Sequence, residues 1–179
     1  MITVALFALS FVAMEGIAYS THRWVMHRRG MVWHASHHAP PRGRLERNDL
    51  FPLCFSLLGA SLFVAVAIGM TPAWVWPVAA GTTAYGITYL VVHEVVIHRR
   101  LPLQVPNLRY LRWLRDSHRA HHVDAGEPYG MLLPVMSSAD KKRVTAAKKR
   151  VRSARQPASD EGGRDLLVRA RTRPTRWRL

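Results

Sequence analysis

Three apolar stretches decide most of what this chain can become. Ile2 to Ser20 (ITVALFALSFVAMEGIAYS) carries one charge, Glu15, while Leu50 to Met70 (LFPLCFSLLGASLFVAVAIGM) and Ala73 to Val92 (AWVWPVAAGTTAYGITYLVV) carry none. Each is close to the roughly 20 residues that take an α-helix across a bilayer core. A chain of 179 residues has too little other material to cover three helices that are apolar on every side, so their surround must be apolar as well. The first stretch lacks the basic n-region and the small-x-small cleavage site of a signal peptide and is expected to be retained as a span. The expected fold class is therefore all-α: an integral membrane helical bundle of three to four transmembrane helices, with spans at about 2–20, 50–70 and 73–92. The count is left at three to four because Pro77 and two glycines could kink or divide the last span.

Charge then sets the orientation. Three spans in this order put Thr21 to Asp49 and everything after Val92 on one side, and those segments hold every Lys and Arg of the chain. By the positive-inside rule that side is cytoplasmic. Trp74 and Trp76 fall where an outer aromatic belt would lie, with Tyr19, Trp24 and Phe51 marking the inner one. Most of the net charge of +15 sits at the C-terminal end: Ser138 to Leu179 has 14 basic against 4 acidic residues, and Met1 to Ser137 has 12 against 7. The expected division is a membrane-embedded domain over 1–137 and a basic tail over 138–179. The tail is rich in Arg, Lys, Ser, Pro and Gly without apolar periodicity, which predicts disorder and attraction to anionic lipid headgroups or an acidic partner. Charge held in such a tail is poor ground for a nucleic-acid partner, and none is expected.

The lone cysteine, Cys54, excludes an internal disulfide framework and Cys-rich zinc modules, so any metal chemistry runs on nitrogen and oxygen ligands. The ten histidines fall into four clusters with none outside them: His22 and His27 in HRWVMH, His34, His37 and His38 in HASHH, His93 and His98 in HEVVIH, and His118, His121 and His122 in HRAHH. HxxxxH followed by HxxHH thus occurs twice, always on the predicted cytoplasmic side. One such box is as readily a surface feature; four boxes of two shapes that contain every histidine are a metal-ligand set. Imidazole suits zinc, copper, iron and nickel, and ten nitrogens exceed the need of one ion, so two ions with about five nitrogens each is the simple arithmetic.

Helix geometry assigns the boxes different roles. His118, His121 and His122 lie within about 100° of one another on a regular helix, so HxxHH presents three imidazoles to one side. His22 and His27, five apart, lie about 140° apart around a regular α-helix and cannot meet one ion without a π-like widening or an unwound end; the same holds for His93 and His98. Local irregularity is predicted at both. Leu111, Leu114, His118 and His121 form one helical stripe, with Arg109, Arg112, Asp116 and Arg119 on another, which predicts an amphipathic helix against the inner membrane surface whose buried face is also its metal face. His93-Glu94 resembles the start of a zinc-protease HExxH helix, but the next histidine comes one residue late. Neither a CxxCH haem site nor a phosphate loop is present. Glu15, Asn48, Asp49, Glu94 and Asp116 are candidates to orient imidazoles from behind.

At these boxes the sequence resembles the membrane-bound carotenoid β-ring 3-hydroxylases of bacteria, within the fatty-acid hydroxylase superfamily of histidine-box di-iron enzymes. The matching stretches are Met14-Glu15, His22 to His27, Trp33 to His38, Asn48 to Phe51, Thr83 to Gly86, His93 to His98 and Ser117 to His122. After the last box the chain departs, with Glu127-Pro128-Tyr129-Gly130-Met131-Leu132-Leu133 where the family carries a Ser-Phe-Gly-Phe-Leu-like run. The resemblance implies two non-haem iron ions held by the ten histidines, O2 as co-substrate, a carotenoid drawn from the bilayer, and reduced ferredoxin or a similar electron donor. It also implies a bacterial inner-membrane location. The implied reaction is hydroxylation at C3 of a β-ionone ring, β-carotene to β-cryptoxanthin to zeaxanthin, with canthaxanthin to astaxanthin as the corresponding step on 4-keto rings. Acidic ferredoxin would be steered by Arg99, Arg100, Arg109 and Arg112. A related di-iron enzyme acting on fatty acyl chains or sterols has the same boxes, and a non-enzymatic metal-binding membrane protein, or a nucleic-acid binder working through its tail, is the remaining alternative.

Overall fold

A computed structural model describes residues 1–39, 43 and 45–155 of the chain. Among these residues the structure is helical, without strands: α1 (Ile2–Ser20), α2 (Met31–His38), α3 (Leu50–Ala67), α4 (Val75–Leu90), α5 (Arg109–Asp124) and α6 (Ser138–Arg155). Two of the helices do not stop where their α-geometry stops. α1 runs on as a π-helix over Thr21–Met26 and α4 as a π-helix over Val91–Ile97. These are the two HxxxxH boxes, so the irregularity predicted from the spacing is present at both. The continuous helices Ile2–Met26, Arg47–Ala67 and Val75–Ile97 are each long and apolar enough to cross a membrane.

Two sequence features explain the break between the second and third spans. Gly69, with φ 74, takes the left-handed conformation that ends α3, and Met70 N–H then reaches back 2.8 Å to the Ala65 carbonyl. Pro77 falls in the first turn of α4, where its missing N–H is not needed. The third span is consequently one helix and not two, and it continues past Val92 to Ile97.

α1 and α3 both pack against α4. Gly81 makes the first contact close: a Cβ there would stand 2.1 Å from Ser10 Oγ and 2.3 Å from the Phe7 carbonyl, the small-residue logic of helix pairing in lipid. Large apolar side chains point away from the bundle, Ile2, Val4, Leu57, Val64 and Ile68 among them. In water this would be an aggregating surface; in lipid it is the solvated one.

α5 carries the predicted two faces. Leu114, His118 and His121 are buried while Arg109, Arg112 and Arg119 are exposed, and Leu114 joins Val92, Ile97 and Met131 in a small apolar core. α6 is a difference from the expected tail. Its basic composition reads as disordered, yet Ser137 and Asp140 bond each other's backbone N–H at 3.2 Å as a capping box, and Val144 buries against Ala120 of α5 with Met136 alongside. The remainder of the expected tail, 156–179, lies outside the described residues.

Candidate metal centre

All ten histidines converge at one end of the bundle. His22, His27, His34, His38 and His121 form one group of ligand atoms and His37, His93, His98 and His118 a second, each within 4.8 Å of one another. His122 Nε2 reaches His118 Nε2 at 2.9 Å, which attaches it to the second group. Its ring stacks on His38 at 4.5 Å between centroids, so the two groups share a wall. The ligand atoms thus fall into a group of five and a group of four, with His122 beside the second.

The π-segments supply what regular helix withholds. His27 N–H bonds to the His22 carbonyl at 3.1 Å and His98 N–H to the His93 carbonyl at 2.9 Å, the i to i+5 closure that stacks residues five apart. The ring centroids of each pair stand 5.0 and 4.5 Å apart. α2 and α5 deliver the HxxHH boxes from regular turns.

Behind the rings lies a set of acceptors. His22 Nδ1 donates to the Tyr129 carbonyl at 2.9 Å, His34 Nδ1 to Asn48 Oδ1 at 2.7 Å, and His121 Nδ1 to the Gly126 carbonyl. His37 Nδ1 lies 3.1 Å from Glu46 Oε2 and His93 Nδ1 2.6 Å from Glu94 Oε1. Carbonyl and carboxylate oxygens only accept, so the proton of each neutral ring sits on Nδ1 and the Nε2 lone pair faces inward. Yet His37 and His93 oppose their Nε2 atoms at 3.0 Å, and His22 and His34 at 3.2 Å. Lone pair against lone pair at that distance is repulsive unless a cation lies between them. The donor set therefore fits a metal, by the usual rule that ligating imidazoles are held from behind through the other nitrogen.

Burial keeps the rings in the ligand form. It lowers the pKa of His27 and His34 to about 4, of His98 and His121 to about 3 and of His122 to about 2, and it pushes His37, His38 and His118 down as well. Each is unprotonated at neutral pH, ready to bind without releasing a proton.

Of the expected orienting residues, Asn48 and Glu94 hold imidazoles directly. Asp49 acts one step removed, through Arg100 at 3.0 Å. Glu15 is corrected: its carboxylate accepts from Tyr85 Oη at 2.6 Å and from the N–H groups of Met131, Leu132 and Leu133 at 2.8 to 3.1 Å. It anchors the segment after the last box to the bundle, and that segment brings the Tyr129 carbonyl to His22. Asp116 is partly buried on α5. Glu46, Arg100, Tyr129 and Gly126 were not foreseen. Arg100 ion-pairs with Glu46, Asp49 and Glu94 at 2.7 to 3.0 Å and so is not a free steering charge. α5 ends on Ala125 at φ 50, the left-handed turn that returns the Gly126 carbonyl to His121.

One cavity of about 410 Å³ leads to the centre. It lies between α1 and α3 with α4 as its floor, and its inner end meets His22 and Tyr129. The lining is apolar, with Phe55, Phe63 and Met14 inside, while Ile17, Leu58 and Ile87 line it and are exposed at 47%, 56% and 60%. The groove thus opens on the flank of the bundle.

Residues 7–141 match the fatty acid hydroxylase family. The chain is 43% identical over 122 residues to a beta-carotene hydroxylase of Pseudescherichia vulneris, with 66% of each chain covered. It is 39% identical over 121 residues to a beta-carotene hydroxylase of Pantoea ananas, covering 66% of this chain and 67% of the relative. A chloroplastic beta-carotene 3-hydroxylase of Arabidopsis thaliana is 33% identical over 136 residues, 73% of this chain and 45% of the plant protein. The matched stretch thus spans about two thirds of these bacterial relatives and less than half of the plant one. No solved structure gives a significant match. With three quarters of its length, all four histidine boxes included, aligned to that family, the chain belongs to the fatty acid hydroxylases.

Proposed function

We propose that the protein is a membrane-bound, non-haem di-iron monooxygenase that hydroxylates carotenoid β-ionone rings at C3, taking β-carotene to β-cryptoxanthin and zeaxanthin. The observation that carries this reading is the apolar groove that opens on the flank of the bundle and ends at His22. Such a groove suits a substrate dissolved in lipid, and the named bacterial and plant relatives make a carotenoid the substrate class. Two irons held by the ten histidines would supply activation of O2 and of the ring C–H bond. The chain does the rest. α1, α3 and α4 bind the polyene body and exclude water, and Tyr129 and His22 set how far the ring end can advance. The acceptors behind the imidazoles keep the Nε2 lone pairs aimed inward. Electrons come from a soluble donor such as ferredoxin at the basic, cytoplasmic face, where Arg99, Arg109 and Arg112 are exposed. Loss of ionic-strength dependence on charge reversal at these three is the expected sign of steering.

The test is pigment chromatography after expression in cells that accumulate β-carotene, with and without a 4-ketolase. Zeaxanthin is expected in the first case, and astaxanthin in the second would show that 4-keto rings are accepted. His37→Ala and His121→Ala should each abolish the product. Absence of any new polar carotenoid from a chain that folds and binds iron would overturn the substrate assignment.

A further inference from the structure

We propose that the two metal positions are built unequal, and that Arg100 is the positioning residue that makes the one between His37 and His93 the tighter. The inference rests on the reading that the cluster holds two ions. Arg100 Nη2 lies 2.7 Å from Glu46 Oε1 and its Nε 2.9 Å from Glu94 Oε2. The opposite oxygens of those same carboxylates hold His37 Nδ1 at 3.1 Å and His93 Nδ1 at 2.6 Å, and the Nε2 atoms of these two rings face each other at 3.0 Å. One guanidinium, two carboxylates and two imidazoles therefore close a ring whose only gap is the metal position. Asp49, at 3.0 Å from Nη1, fixes the guanidinium from the third side.

The other position is backed differently. His22, His34 and His121 lean on the Tyr129 carbonyl, the Asn48 amide oxygen and the Gly126 carbonyl, all of them neutral. Around the Arg100 ring three carboxylates meet one guanidinium, which leaves two net negative charges beside one metal position. A carboxylate draws the Nδ1 proton more strongly than a carbonyl does and makes Nε2 the better donor, and the carboxylate charge favours a cation directly. Arg100, whose own charge opposes a cation, therefore acts by holding both carboxylates against their imidazoles. Arg100 also ties Glu46, which leads into α3, to Glu94 in the π-segment of α4 through ion-pair contacts made by two different nitrogens of one guanidinium, a span that the single ammonium of lysine does not match. The neutral-backed position is the one that faces the groove, because His22 lines it. A firmly held ion behind and a less firmly held ion toward the substrate is the resulting arrangement.

The experiment uses the full chain in detergent, stripped of metal, reloaded with Co²⁺ and challenged with graded chelator, with retained cobalt per chain and the visible ligand-field bands as readouts. Wild type should hold two ions and release them in two steps at least tenfold apart in chelator. Arg100→Gln should weaken the tighter step by about 10- to 100-fold, the usual scale for outer partners of metal ligands, and merge it with the looser one; Arg100→Lys should recover only part. Asn48→Ala should weaken the looser step alone. Glu46→Gln and Glu94→Gln, which keep the side-chain shape, carry the same expectation as Arg100→Gln and guard against a variant that fails to fold. Release of both ions in one step, or an Arg100→Gln variant that lowers both steps equally, overturns the inequality. A wild-type content of one ion overturns the two-ion reading instead, and the inequality with it.

Discussion

A carboxylate inside a membrane span is costly, and Glu15 offsets that cost by gathering four donors from two other parts of the chain. Glu15→Ala should leave buried N–H groups of Met131 and Leu132 unpaired and destabilise the fold by on the order of 3 kcal/mol, measured as thermal unfolding in detergent. Iron content should fall with it, because the same segment presents the Tyr129 carbonyl to His22. The histidines carry a second prediction at this scale. Folded-state values of about 4 for His34 and about 3 for His121 lie below the ordinary 6.5, so below pH 6.5 the unfolded chain binds more protons than the folded one. Chelator-treated protein should be at its most stable above about pH 6.5 and lose stability progressively as pH falls toward 4. Flat melting temperatures between pH 5 and 7 would contradict this. Residue by residue, the convergence of the ten histidines was legible because box spacing is a strong pattern. Asn48 and Glu94 were legible because they stand beside the boxes or at the mouth of a span. Glu46 and Arg100 were not, since they lie 54 positions apart in the chain and neither is unusual in type. The carbonyls of Tyr129 and Gly126 have no side-chain signature at all.

Among the elements, the π-segments are where spacing and geometry answer each other. Deleting Val95 should let α4 close as ordinary helix with His93 and His98 four apart and still on one face, since five residues of π-helix and four of α-helix turn through nearly the same angle. Helical content in circular dichroism and bound iron should then both survive. Inserting one further residue after Val95 should instead turn His98 by about 100° away from His93 and His118 and lower bound iron by about half. The irregularity was legible from a five-residue interval; α6 was not legible in the same way. Its helix depends on a cap at Ser137 and on Val144 finding Ala120 of α5, and a run of Lys and Arg announces neither. Composition reports what a segment can do alone, and α6 is not alone.

For the molecule as a whole, orientation and the C-terminal end give the sharpest tests. With Cys54→Ser as background, Thr71→Cys should react with an impermeant maleimide from the outside of intact spheroplasts and Asn107→Cys only in inverted vesicles; the reverse pattern would invert the proposed topology. Truncation after Arg155 should leave pigment conversion intact. Truncation after Ser137 should lower thermal stability, since it strips the cover from Ala120.

The groove reaches His22 and opens on the flank of the bundle, and the proposed carotenoid substrate has a ring at each of its two ends. A molecule with a ring at each end can offer only one of them to His22 at a time, and the other must wait in the opposite leaflet or along the flank of the bundle. On the proposed reaction and topology, the first hydroxyl would be added near the inner headgroups, where it would already be well solvated. Modifying the second ring would then require the half-finished pigment to leave, turn end over end in the bilayer, and enter again with its polar group trailing. Time courses should accordingly show the singly hydroxylated pigment rise in the lipid pool before the doubly hydroxylated one. Membrane order, which slows such inversion, would then govern how far the sequence runs.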